Sequence, residues 1–120
     1  MESLYHITTG RDWEAAVASD TPYTLSTLGK TLDEVGFIHC SFAGQVARIA
    51  NHFYRDQTGL VLLTIDPARL QSPVKVESVA GTDEQFPHLY GPLHPEAVVS
   101  CQEFAPGPDG VFTFGVRSES

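Results

Sequence analysis

Basic residues are scarce in this 120-residue sequence: seven Lys and Arg stand against fifteen Asp and Glu, a formal net charge of −8 with histidine neutral. Nonspecific affinity for nucleic acid rests on clustered cations facing phosphates. The cations here are scattered, so extended nucleic-acid binding is not expected. Cysteine occurs only at Cys40 and Cys101, with no Cys-x-x-Cys spacing. Two free thiols in a reducing, cytoplasmic compartment are the expectation. Long hydrophobic runs are missing too. The longest, Leu60 to Leu63, falls far short of the roughly 20 residues that span a bilayer, and no basic-then-apolar opening marks a signal peptide. No membrane association is expected. There is no low-complexity run and no internal repeat. What remains fits a single domain over residues 1–120, able to bury roughly two-thirds of its unfolded surface without metal or disulfide.

Hydrophobic periodicity divides the chain. Leu4 to Thr8 reads as a strand. Thr9 then caps a helix over 10–18, with Asp12 placed as in a capping box and Trp13, Ala16 and Val17 at helical spacing. Thr21-Pro22 ends it. Residues 22–35 read two ways: Thr24, Ser26 and Gly29 suggest loop, whereas Leu28, Leu32 and Val35 suggest a helical turn or two. Gly36 to Cys40 is a second strand. Ser41 is the expected N-cap of a helix over 42–54, whose Phe42, Val46, Ile49, Ala50 and Phe53 form one apolar stripe. Leu60 to Ile65 is a near-continuous apolar strand, which predicts cover on both faces. Asp66-Pro67 opens a turn, Val74 to Val79 alternates as a strand, and residues 80–87 read as loop. Pro87 to Pro95, with three prolines and a glycine, reads as a rigid shaped loop. Ala97 to Phe104 is a strand, 106–110 a turn, Val111 to Val116 the last strand, and 117–120 a solvated tail. Five or six strands with two main helices placed early predict the α+β class, a single compact domain with mostly antiparallel sheet.

Side chains two apart on a strand share a face. His6 therefore shares a face with Thr8, opposite Tyr5 and Ile7. His39 shares one with Ser41, opposite Ile38 and Cys40. Set side by side, the two strands would form a polar pocket lined by histidines. Imidazoles and hydroxyls are costly to bury without partners, so they either bond one another or surround a ligand. Strand histidines are more often hydrogen-bonded structural residues, and both readings stay open. The segment Phe86-Pro-His-Leu-Tyr-Gly-Pro-Leu93 offers His88 and Tyr90 to a flat ring or a sugar; alternatively it is a lid on the protein's own core. His6, His39, His88 and His94 could supply three imidazoles to a metal. No His-x-His or His-x-x-x-His spacing holds two on one element, so no metal is expected. Cys40 faces away from His39 and is a poor nucleophile.

Several motifs in order carry a resemblance. They are Leu4-Tyr-His-Ile-Thr-Thr9, Trp13-Glu-Ala-Ala16, Gly36-Phe-Ile-His-Cys-Ser41, Leu60-Val-Leu-Leu-Thr-Ile-Asp-Pro67 and Phe86-Pro-His-Leu-Tyr-Gly-Pro-Leu93. Across most of residues 3–104 the chain resembles the bacterial domain of unknown function 952 family. That family in turn looks like a compact member of the ADP-ribosyltransferase-like fold, near the RNA 2'-phosphotransferases that consume NAD. The likeness implies that His6 corresponds to their first-strand histidine and that His39 and Ser41 correspond to their His-hydrophobic-Ser element. It implies His6 on a ribose hydroxyl and His39 on the phosphates or second ribose of NAD. The chain departs from that pattern. Val35-Gly36 stands where an arginine precedes the histidine element, Arg48 and Arg55 have no clear counterpart, and Glu103 is the one late-strand glutamate.

Two functions follow as expectations. One is a pocket for NAD or a related nucleotide, with His6 and His39 catalytic and His6, Thr8, His39, Ser41, His88 and Tyr90 contacting the cofactor, supporting transfer of ADP-ribose. There, positioning and hydrogen bonds to ribose supply much of the effect. The other is a non-catalytic ligand-binding or regulatory domain using the same cleft.

Overall fold

A computed structural model describes residues 2–27, 30–78 and 83–114. In chain order the elements are β1 (Leu4–Thr9), α1 (Gly10–Ala18), β2 (Leu25–Thr27), β3 (Lys30–Thr31), α2 (Leu32–Val35), β4 (Ile38–His39), α3 (Val46–Phe53), β5 (Leu60–Ile65), β6 (Val74–Ser78), β7 (Gln85–Leu89) and β8 (Val98–Glu103). The α+β expectation holds, and every strand pairing described is antiparallel.

One sheet has the order β1-β5-β8 and a second the order β4-β7-β6. Tyr5 joins them through main-chain bonds with Ser41, from its N–H at 2.9 Å and to its carbonyl at 2.8 Å. The result is one curved array, β8-β5-β1-β4-β7-β6. Its strands alternate between two apolar layers. Leu4, Ile38, Cys40, Leu63, Ile65 and Leu89 pack with Trp13 of α1 on one side. Ile7, Leu60, Leu62 and Phe86 pack with Val46, Ile49 and Ala50 of α3 on the other. β5 feeds both layers, as its near-continuous apolar run predicts.

Local chemistry explains the helix ends. Thr9 accepts from the Asp12 N–H at 3.1 Å and starts α1. Part of the ambiguous 22–35 segment is a hairpin, β2 with β3. It is followed by the single turn α2, capped by Thr31 and Glu34 and closed by Gly36 at a φ of 98°. Leu28 and Gly29 lie outside the described residues.

Three expectations are corrected. Ser41 does not cap the second helix: it is tied to β1, and a 3-10 turn over Ala43–Gln45 starts from Phe42, whose N–H bonds the Gln45 side chain at 2.9 Å. Pro87 does not open a loop. It sits inside β7, the central strand of its sheet. Its carbonyl accepts from the Cys40 N–H at 3.1 Å, but proline has no N–H to return the bond, and the β4–β7 ladder stops there after two residue pairs. Residues 111–114 form no strand. Asn51 instead grips Phe112, accepting from its N–H at 2.8 Å and donating to its carbonyl at 3.0 Å, which seats the Phe112 ring in the core. Val79 and the expected 117–120 tail lie outside the described residues.

Candidate functional site

The pairing of Tyr5 with Ser41 decides where the histidines point. Paired residues share a face, so His39 and Ser41 lie on the Tyr5 side of the array. His6 and Thr8 lie on the other. The two histidine strands are neighbours, but their rings do not share one pocket. His6 meets the backbone of His39 instead: its Nδ1 is 2.7 Å from the His39 carbonyl oxygen. A carbonyl only accepts, so Nδ1 carries the proton. Burial depresses the pKa of the ring to about 4, against the raising effect of the bond to the His39 carbonyl, leaving it neutral, so Nε2 is an acceptor. The Tyr23 hydroxyl, 2.9 Å away, donates to it. Tyr23 Oη then lies 2.7 Å from Thr8 Oγ1, and with its only proton committed to His6 it accepts from Thr8. Burial, the largest cause, pushes the Tyr23 hydroxyl well above its usual range. Ser26 accepts from the His39 N–H at 3.2 Å. Both main-chain groups of His39 that face away from β7 are thus satisfied by side chains.

This chain of hydrogen bonds ends at a cleft of about 350 Å³ lined by Ile7, Thr8, Thr9, Asp12, Tyr23, Leu25, Ser26, Tyr54, Gln57 and Leu60. Its size is that of a small-molecule site. Hydroxyls, an amide and one carboxyl group line it beside apolar side chains, and none of the described lining residues is cationic. Asp12 has no side-chain hydrogen bond or ion pair with the described residues. His6 stands behind Tyr23, only 3% exposed, and does not line the cleft.

His39 belongs to a second cluster with His88, its register partner on β7. Their rings lie 5.6 Å apart. Burial, then the neighbouring His6 and His88, lower the His39 pKa to about 4. His88 stacks on Phe37 at 3.9 Å, and its Nδ1 donates to Glu77 at 2.9 Å. The Tyr90 hydroxyl also donates to Glu77, and these two bonds hold the Glu77 carboxyl below the usual range.

The six expected ligand-contacting residues therefore divide. Thr8 lines the cleft, with His6 one hydrogen bond behind. His39, His88 and Tyr90 share the second cluster. Ser41 is buried at the β1–β4 junction. The residues around NAD implied by the resemblance do not meet in one place. Arg48 forms a bidentate pair with Glu84, while Arg55 and Glu103 are exposed and outside the cleft. Cys40 is sealed in the core, and burial lifts its thiol to about 12, as its poor standing as a nucleophile implies. Sequence reasoning missed Tyr23, Ser26 and Asp12. A buried tyrosine needs a partner for its hydroxyl, and the unassigned 22–35 segment was where to look. It also missed Glu77, which alternates onto the face of β6 that pairs with Phe86 and reaches His88.

A crystal structure of protein CC0527 from Caulobacter crescentus is 31% identical, with coverage of 93% of this chain and 94% of that one, at a TM-score of 0.79. The solution structure of the same protein is 32% identical, covering 94% of this chain and 93% of that one, at a TM-score of 0.75. No curated protein matches. The family model for the protein of unknown function DUF952 matches residues 7–101, and the chain belongs to that family.

Proposed function

We propose that this protein binds the sugar of a nucleoside or nucleotide, NAD among them, in the Thr8–Asp12–Tyr23–Ser26 cleft. The polarity of the His6 hydrogen-bond chain carries this reading. With the proton of neutral His6 on Nδ1 toward the His39 carbonyl, the Tyr23 proton goes to Nε2 and the Thr8 proton to the Tyr23 oxygen, which leaves the Thr8 oxygen as an acceptor beside the cleft it lines. The Asp12 carboxylate is a second acceptor. Ser26, whose oxygen already accepts from His39, has its own proton to donate. Two acceptors beside a donor suit neighbouring sugar hydroxyls, and the tyrosines and Leu25 suit the face of a ring. That no cation is among the described lining residues favours the sugar over the phosphates as the part held. A space of about 350 Å³ takes one riboside of a dinucleotide.

Binding without turnover is favoured over transfer of ADP-ribose. His6 is kept neutral behind Tyr23 and cannot touch a bound sugar, and His39 lies on the other face. The ADP-ribosyltransferase-like fold and its transfer chemistry stand as the catalytic form of the same proposal, resting on the motif likeness alone.

The test is calorimetric titration with NAD, adenosine and 2'-deoxyadenosine, for the unmodified protein and Asp12→Asn, with mass spectrometry for released nicotinamide. NAD and adenosine should bind, the deoxy compound at least tenfold more weakly, and Asp12→Asn should lose at least tenfold for adenosine. Nicotinamide release would overturn binding without turnover and show cleavage of bound NAD, with ADP-ribose passing to water or to an acceptor. No heat from any riboside removes the proposal.

A further inference from the structure

The His39–His88 cluster supports a second site, apart from the cleft and sharing no residue with its lining. His88 is 2% exposed. Its tautomer is set from outside: Nδ1 faces a carboxylate oxygen of Glu77 at 2.9 Å, which only accepts, so Nδ1 carries the proton. Glu77 is held in turn by the Tyr90 hydroxyl, and Phe37 lies flat on the ring, 12° from parallel. Nε2 is left with its lone pair. It is buried and has no hydrogen-bond partner among the described residues, whereas roughly nine in ten buried polar atoms have one.

His39 completes the arrangement. It is the direct cross-strand partner of His88, so both rings rise from one face of the β4–β7 pair. They stand 5.6 Å apart and tilted by 44°. Imidazole nitrogens bound to zinc at about 2.0–2.1 Å place two ring centres roughly 5 Å apart around a tetrahedral ion. A histidine that ligates a metal usually passes its other N–H to a carboxylate, which fixes the ring and raises its basicity. Glu77 stands in that relation to His88, and Tyr90 fixes Glu77.

We infer that His39 and His88 form a two-imidazole site for a divalent transition ion of the zinc class. Imidazole nitrogens select such ions over magnesium or calcium. Among the described residues no three His, Cys, Asp or Glu side chains group as a metal site, so water or a small donor molecule completes the coordination. The site is labile rather than structural, and the fold does not depend on it.

The experiment is zinc titration of chelator-stripped protein, followed by absorption spectroscopy at the zinc edge. One equivalent should bind with two imidazoles and oxygen in the first shell. His39→Ala and His88→Ala should each weaken binding at least tenfold. Glu77→Gln should weaken it about tenfold while keeping both imidazoles, the scale expected for an outer-shell partner. His52→Ala, on the exposed side of α3, should change nothing. The imidazole count is read in the unmutated protein, so a variant that fails to fold does not block the test. No zinc uptake, fewer than two imidazoles, a sulfur ligand from Cys101, or loss of binding in His52→Ala would each overturn the inference. Failure of the riboside proposal leaves it standing.

Discussion

The ring of His6 donates to the main-chain carbonyl of His39 at 2.7 Å, so two histidines 33 positions apart meet as side chain and backbone rather than as two rings. β1 and β4 share only the Tyr5–Ser41 bridge. Where the strands diverge, the imidazole spans the gap that a backbone N–H would fill in a regular ladder. This makes His6 a fastener between the two halves of the array.

Replacing that fastener should be costly. His6→Ala leaves the His39 carbonyl without its side-chain donor and the Tyr23 hydroxyl with Thr8 as its one remaining partner among the described residues, and it opens a cavity, a loss of about 3–5 kcal/mol. His6→Asn, whose amide can still donate to the carbonyl, should lose less. Urea unfolding of the three proteins at pH 7.5 checks the order. Equal stability of His6→Ala and the parent would show that the bond to His39 does not hold the halves together.

Stability should fall on acidification. His6 and His39 both titrate near 4 when folded, against an ordinary 6.5, chiefly because burial disfavours the charged ring. Between those values the unfolded chain binds more protons than the folded one, so unfolding is favoured as pH drops. Their contribution is complete above pH 6.5, declines from about 6.5 to about 4, and changes little below. Each ring adds at most about 1.4 kcal/mol per pH unit. Thermal midpoints from pH 8 to pH 4.5, compared with His39→Gln, should show a shallower slope in the variant. A flat profile contradicts the assignment of two buried neutral rings.

Gly91 is irreplaceable for steric reasons. Its φ is 157°, and a Cβ there would lie 2.1 Å from Ser72 Oγ and 2.6 Å from Ser72 Cβ. Gly91→Ala should destabilise by about 2 kcal/mol or more. Ser72→Gly removes both clashing atoms and should recover part of the loss, while the backbone penalty remains. Denaturant midpoints of the two single variants and the double variant measure the coupling. Strict additivity would mean that the two residues do not collide.

Asn51 should hold the segment after β8 in place. It makes two hydrogen bonds to Phe112 from the side of α3, and the Phe112 ring packs at 5.0 Å from Phe104. Asn51→Ala should cost about 1–3 kcal/mol and speed amide exchange at Phe112. Unchanged exchange at that amide would place the grip elsewhere.

Much of the fold was legible because periodicity reports burial. The near-continuous apolar run Leu60–Ile65 announced a strand covered on both sides, and Thr9 with Asp12 announced where α1 begins. β7 was not legible. Pro87 reads as a breaker, yet a proline carbonyl still accepts one bond, and a ladder two residues long asks for no more. Residues 111–114 alternate as a strand does, but Asn51 meets the backbone at Phe112 that a neighbouring strand would otherwise have paired.

The alternation of His6 with Thr8 and of His39 with Ser41 was written in the residues, and so was the polarity of each strand's faces. Which faces coincide was not. That depends on a one-residue choice of register at the Tyr5–Ser41 bridge, made by packing between segments more than thirty residues apart, and a slip of one position exchanges the two sides of a strand. Local chemistry supplied the groups, and long-range packing sent His6 to the cleft side behind Tyr23 and His39 to His88.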